Sequence, residues 1–180
     1  MAAVTVSVLS GCTGNSTPDG LYRYKQSTPL GTVIPVDRRA QAGAMSGSLL
    51  DGGAQYQLSQ DAGNVVVLSY FASWCGPCQT EAPEMDALYR QRKASGVKFV
   101  GVNTKDPSKS SASSWIAEKK LSFPIIYDPP AKTALEIGSI PITLPGTIVI
   151  DKHGRVAAVY LGRLQPDDLT PDLDVLAKEA

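Results

Sequence analysis

Phe71-Ala72-Ser73-Trp74-Cys75-Gly76-Pro77-Cys78 decides how this chain reads, because it sets a Cys-x-x-Cys pair where a buried strand should turn into a helix. The run before it, Val65-Val66-Val67-Leu68-Ser69-Tyr70-Phe71, is short, apolar and β-branched, the pattern of a strand covered on both faces. After it, Ala82, Met85, Leu88 and Tyr89 recur at helical spacing between Glu84, Asp86, Arg90 and Arg92, which predicts a helix over residues 76–94. Cys75 then stands at or just before a helix N-terminus, where free backbone N–H groups and the positive end of the dipole favour a thiolate. A thiol with an ordinary pKa of about 8.5 is only about 3% ionised at pH 7, whereas one lowered to about 7 is half ionised. The pattern predicts a redox dithiol, with Cys75 as the attacking sulfur and Cys78, one helical turn further in, as the buried resolver.

A Cys-x-x-Cys pair also serves zinc, but a zinc site needs about four ligands, and beyond the pair this sequence offers only Cys12 and His153. No metal and no cofactor are expected. A purely structural disulfide is the other reading, and Trp74 together with the strand-to-helix setting favours exchange chemistry over it.

The 180 residues, 43% of them hydrophobic, suit one compact domain plus an extension. Seventeen basic and seventeen acidic residues give a net charge of zero, which argues against a nucleic-acid partner. No apolar stretch reaches the roughly 18 residues of a membrane span. Val4 to Leu9 is mostly apolar, however, and Leu9-Ser10-Gly11-Cys12 resembles a bacterial lipobox, which implies cleavage before Cys12 and lipidation of its thiol. Residues 1–11, which hold no Lys or Arg, read as a truncated lipoprotein signal peptide. Residues 12–45, rich in Gly, Pro, Ser and Thr, read as a flexible tether and lead-in with Tyr22 and Tyr24 as its obvious anchors. The folded domain is expected over 46–180.

Within it, Ser48-Leu49-Leu50 and Gln55-Tyr56-Gln57-Leu58 flank Asp51-Gly52-Gly53 as a hairpin. Gly96 should end the long helix, and Val97 to Asn103 reads as a second strand. Ser111 to Lys120 reads as a helix with Trp115 and Ile116 inward, Pro124 to Tyr127 as a short strand, and Ala131 to Ile137 as a short helix. Thr147 to Ile150 and Val156 to Tyr160 should pair across the Asp151-Lys152-His153-Gly154 turn, and Leu169 to Lys178 should close the chain as a polar helix. A β-α-β-α order followed by a hairpin and a terminal helix implies parallel strands beside an antiparallel pair. The fold class is α/β, a thioredoxin-like fold with an N-terminal β-hairpin and a central helical insertion.

Trp74-Cys75-Gly76-Pro77-Cys78 followed by Glu81-Ala82-Pro83, and Leu144-Pro145-Gly146-Thr147 before a strand and an Asp-x-x-Gly turn, resemble the TlpA/ResA family of extracytoplasmic thioredoxins over about residues 45–178. The resemblance implies that Pro145 is a cis-proline opposite the dithiol and that Leu144 offers backbone groups to a substrate peptide, completing a contact surface with Trp74, Gly76 and Pro77. Pro141 is a rival for the cis-proline, and Trp74 could equally serve packing alone. Cytoplasmic thioredoxins carry a buried aspartate where this chain has Ser69. In the family it resembles, a glutamate matching Glu81 is thought to handle the proton of the resolving thiol; the alternative is that Glu81 only complements the helix N-terminus. His153 is expected in an exposed turn away from the chemistry.

The resemblance further implies a monomeric reductant on the outer side of the bacterial cytoplasmic membrane. Electrons would come from a membrane thiol transporter of the CcdA/DsbD type, and the clients would be exported proteins with cysteines such as apocytochrome c. A disulfide-forming oxidase is the main alternative, since the same compartment favours disulfides. A thiol peroxidase would need a Thr or Ser where Ala72 stands, and a redox-inert client-binding module would have no use for an intact Cys-x-x-Cys.

Overall fold

In the computed structural model, which describes residues 27–138 and 143–179, the strand predicted ahead of the cysteines becomes the centre of the main sheet. A hairpin of β1 (Ser46–Ser48) and β2 (Gln55–Gln57) comes first, followed by β3 (Val65–Phe71), α1 (Cys78–Arg92) and β4 (Val97–Asn103). Then come α2 (Lys109–Lys119), β5 (Ile125–Tyr127) and α3 (Lys132–Gly138), and finally β6 (Gly146–Ile150), β7 (Val156–Leu161) and α4 (Pro166–Lys178). The five-stranded sheet runs β5-β4-β3-β6-β7, with β3, β4 and β5 parallel and β6 and β7 each antiparallel to its neighbour. This is the thioredoxin-like order expected, with α2 and β5 as the central insertion.

Every residue of β3 is buried, because its two faces feed two cores. Val65, Val67 and Phe71 pack with Met85 and Leu88 of α1, Trp115 of α2 and Leu169, Leu173 and Leu176 of α4. Val66, Leu68 and Tyr70 pack with Tyr56 of the hairpin and Ala134 and Ile137 of α3. Each such side chain contributes about 1.5–3 kcal/mol by leaving water. Gly101 on β4 is where the first core is tightest: a Cβ there would lie 2.7 Å from the Phe123 ring and 2.9 Å from that of Phe71. Any larger residue would press on Phe71, the last strand residue before the redox loop.

Three expectations need correction. The part of the lead-in that the structure describes, residues 27–45, is docked on the domain: Thr28 N–H donates to Val159 O (2.6 Å), Ile34 N–H to Ala157 O (2.7 Å), and Val156 N–H to Ala40 O (2.9 Å). This strap gives β7 partners along an edge that would otherwise leave them unmade. Beyond it the Arg39 guanidinium is buried against Asp151 (3.0 Å) and Glu179, and Met45 is buried in the second core. Second, α4 is amphipathic instead of polar, since Leu169, Leu173 and Leu176 are fully buried and lie on one helical face. Third, Trp115 points inward as expected, but Ile116 is only half-buried.

Helix ends shift by one to three residues, the largest shift being the start of α4 at Pro166 instead of Leu169. α1 starts at Cys78 behind Pro77, whose missing N–H costs nothing at a helix start. α2 starts earlier than expected because the Ser108 hydroxyl accepts the Ser111 N–H (3.1 Å). Tyr22, Tyr24, Cys12 and the lipobox lie outside the described residues, as does Pro141.

Candidate active site

The site forms where β3 ends. Phe71 and Ala72 are still buried, the chain turns through Ser73 and Trp74, and α1 begins at Cys78. Cys75 and Cys78 are joined as a disulfide with an S–S distance of 2.11 Å. Cys75 is 4% exposed and Cys78 is fully buried, so Cys75 is the sulfur that a partner could reach. The Cys78 N–H, at the first residue of α1, points at Cys75 Sγ from 3.3 Å. In the dithiol state that donor and the helix dipole favour a thiolate on Cys75.

Around this opening the exposed groups are Trp74, at 59%, Gly76 and Pro77. The Trp74 indole is not loose, because its Nε1–H donates to the Lys105 carbonyl (2.9 Å). The Leu144–Pro145 peptide bond is cis. Register places it here: Gly146 pairs with Tyr70 on one side and with Leu161 on the other, so Pro145 stands level with the end of β3. The Pro145 carbonyl accepts the Gly162 N–H (3.0 Å), and Leu144 is half-buried against both cores.

Glu81 lies three residues after Cys78 on the same side of α1 and is 1% exposed. Burial pushes its carboxyl up to about 7, against the opposing pull of the Leu164 N–H and the Arg163 charge. Its Oε2 accepts that N–H at 2.6 Å, while Oε1 is buried with no hydrogen-bond partner among the described residues. Arg163 is itself engaged with Glu84 (2.9 Å). The result is a buried carboxyl, close to half-protonated at neutral pH, with one oxygen free. Ser69, on β3, is buried and cannot titrate in that range.

His153 is exposed at the β6–β7 turn, at the opposite end of the sheet. Among the described residues no three His, Cys, Asp or Glu side chains cluster as a metal site would need. Reading from sequence missed the residues that hold the loop from behind: Asn103 at the end of β4, Asp106 just after it, and Gln79 on α1. Asp106 accepts the Ser73 N–H (2.9 Å) and also the Ser73 hydroxyl and the Asn103 amide, while Gln79 Nε2 donates to the Ser73 carbonyl (2.7 Å). The signal that could have found them is positional, since Asn103 ends a parallel strand beside β3 and sites in such sheets form at carboxyl ends.

A Redoxin family model matches residues 31–175 of this chain. The chain is 33% identical to the thiol-disulfide oxidoreductase ResA of Geobacillus kaustophilus over 124 residues, 68% of each protein. It is 30% identical to ResA of Halalkalibacterium halodurans over 128 residues, 71% of each. Among solved structures, a secreted thiol-disulfide isomerase from Corynebacterium glutamicum superposes with a TM-score of 0.77 at 32% identity, covering 91% of this chain and 96% of that one. A DsbF homologue from Corynebacterium diphtheriae gives 0.75 at 32% identity, covering 80% and 91%. With a dithiol pair at a strand-to-helix turn, a cis-proline level with it and these relatives over most of its length, the chain belongs to the redoxin family as a ResA-like thiol-disulfide oxidoreductase.

Proposed function

We propose that the protein works outside the cytoplasm as a reductant of disulfides in exported proteins, apocytochrome c among the candidate clients. The Cys75 thiolate attacks one sulfur of the client disulfide, the other leaves as a client thiolate and takes up a proton, and a mixed disulfide forms. Cys78 then passes its proton to Glu81 and attacks Cys75 Sγ, releasing the second client thiol and leaving the Cys75–Cys78 disulfide. Two electrons and two protons from a donor dithiol reset the pair, and a membrane thiol transporter of the CcdA/DsbD type fits that need. The client lies across Trp74, Gly76 and Pro77 and takes main-chain hydrogen bonds from Leu144, ahead of Pro145. Lipidation of Cys12 holds the enzyme, as a monomer, at the outer face of the membrane.

The observation that carries the direction is Glu81, buried and raised to about 7 on the resolving cysteine's side of α1. A strong oxidant owes its potential to a stabilised thiolate in its reduced form. A carboxyl that ionises beside the pair works against a thiolate, so the dithiol is less stabilised and gives up its electrons more readily. Equilibration of the purified domain with glutathione or dithiothreitol buffers tests this. A reduction potential at or below roughly −250 mV fits a reductant, and one near about −120 mV belongs to a disulfide-forming oxidase and ends the proposal.

A further inference from the structure

Ser73, two residues before the attacking cysteine, has all of its polar groups engaged. Its N–H and its hydroxyl both go to the Asp106 carboxylate, the N–H at 2.9 Å, and its carbonyl accepts Gln79 Nε2 at 2.7 Å. Gln79 is held in turn, because its Oε1 accepts the Trp115 indole N–H (2.9 Å). Asp106 is 4% exposed, and its third donor is the Asn103 amide. Turning that amide toward Asp106 leaves Asn103 Oδ1 buried with no partner among the described residues. The loop therefore satisfies the carboxylate at the expense of the amide. One residue before Asp106, Lys105 adopts a left-handed backbone (φ 57°) and presents its carbonyl to the Trp74 indole. Loop 104–106 thus grips Ser73 and Trp74 side by side, and nothing in the exchange chemistry above accounts for the grip or for placing a carboxylate there.

We propose that Asp106 is a positioning residue for thiol-disulfide exchange: through Ser73 it fixes the backbone that carries Cys75, and its charge opposes negative charge on the attacking sulfur. This rests on the exchange activity alone and holds whichever way electrons flow. Two residues of chain bound the separation of the carboxylate from Cys75 Sγ at about 13 Å. At such a distance a unit charge in a half-buried setting shifts a thiol by about half a unit to one unit. The other charged groups of the neighbourhood are Glu81 with Arg163 and Glu84 on the α1 side, Lys105 in the same loop, and Asp128 behind it, whose carboxylate caps the Lys132 and Thr133 N–H groups. All of them stay in place when Asp106 alone is changed.

Two variants separate the two parts of the role. Asp106→Asn keeps the size and one acceptor oxygen but loses the charge. In the full domain, alkylation of Cys75 followed against pH should show its pKa fall by about half a unit to one unit. Measured at a pH above both thiol pKa values, the equilibrium with glutathione should move three- to tenfold toward the dithiol, the upper figure being 29.6 mV for two electrons. Ser73→Ala keeps the charge and the N–H bond but frees the hydroxyl contact; the Cys75 pKa should stay, and mixed-disulfide formation should slow severalfold. An Asp106→Asn protein with unchanged thiol pKa and potential, whatever its melting temperature, overturns the proposal. So does Ser73→Ala at the wild-type exchange rate, and that result decides alone should Asp106→Asn fail to fold.

Discussion

Glu81 shows how one residue can report on the chemistry through stability. Its folded pKa of about 7 lies above the ordinary value of 4.5, so the folded state holds the proton more tightly than the unfolded chain does. Its contribution to stability is therefore complete below about pH 4.5 and is lost as pH rises through about 7. The shift corresponds to about 3 kcal/mol. Glu81→Gln keeps the size and cannot titrate. In the oxidised protein, urea midpoints should show the variant gaining on the wild type by up to about 3 kcal/mol between pH 4.5 and 8, and the wild-type inflection near pH 7 in exchange rate should vanish. Stability curves that run parallel would mean that Glu81 merely complements the helix end. The dithiol was legible from residue types at fixed spacing, whereas the cis-proline at Pro145 and a proton role for Glu81 came only with the resemblance to the TlpA/ResA family. Asp106 came by neither route, because an aspartate in a loop reads as solvated until a structure shows which N–H it faces.

At the scale of elements, β3 and β4 were legible to the residue, since seven-residue apolar β-branched runs leave few alternatives. The reading of α4 failed for an identifiable reason. Asp167, Asp168, Asp172 and Asp174 with Pro171 dominate its composition, yet the apolar positions Leu169, Leu173 and Leu176 fall four and seven residues along one face. Periodicity, not composition, decided the outcome. Leu173→Ala should cost about 2–5 kcal/mol by denaturant midpoint, because it empties a site in the same core as the dithiol. Asp174→Ala, which breaks only a half-exposed pair with Arg92, should leave the denaturant midpoint close to that of the wild type. Equal costs would mean that α4 does not bury this face. The strap over residues 27–45 was illegible for a different reason: much of its hold on β7 is through backbone groups, and patterns of side chains do not report those.

For the molecule as a whole, Arg39 is the point where both ends of the domain are tied to the sheet. Its guanidinium meets Asp151 at the β6–β7 turn and Glu179 past α4, and its Nε–H donates to the Ile34 carbonyl (2.8 Å). Arg39→Ala leaves Asp151 buried with Arg155 as its remaining cation, at a cost of about 3 kcal/mol. Limited proteolysis should then cut within residues 27–45 at protease levels that leave the wild type whole, and an unchanged digestion pattern would show that the strap holds without this tie.

The strap also sets where force enters the molecule. Leu161 N–H donates to Ser27 Oγ (2.8 Å), and Leu161 pairs with Gly146, next to Pro145. The chain therefore joins the sheet at its reactive end and runs down β7 toward the far turn. Its hydrogen bonds lie across the strand direction, so a load along β7 strains them together, while a sideways load peels them singly from Ser27 onward. Whatever pulls on the chain upstream of Ser27 pulls on the molecule by the end that exchanges disulfides, and the first contacts to open under a peeling load are those beside the cis-proline.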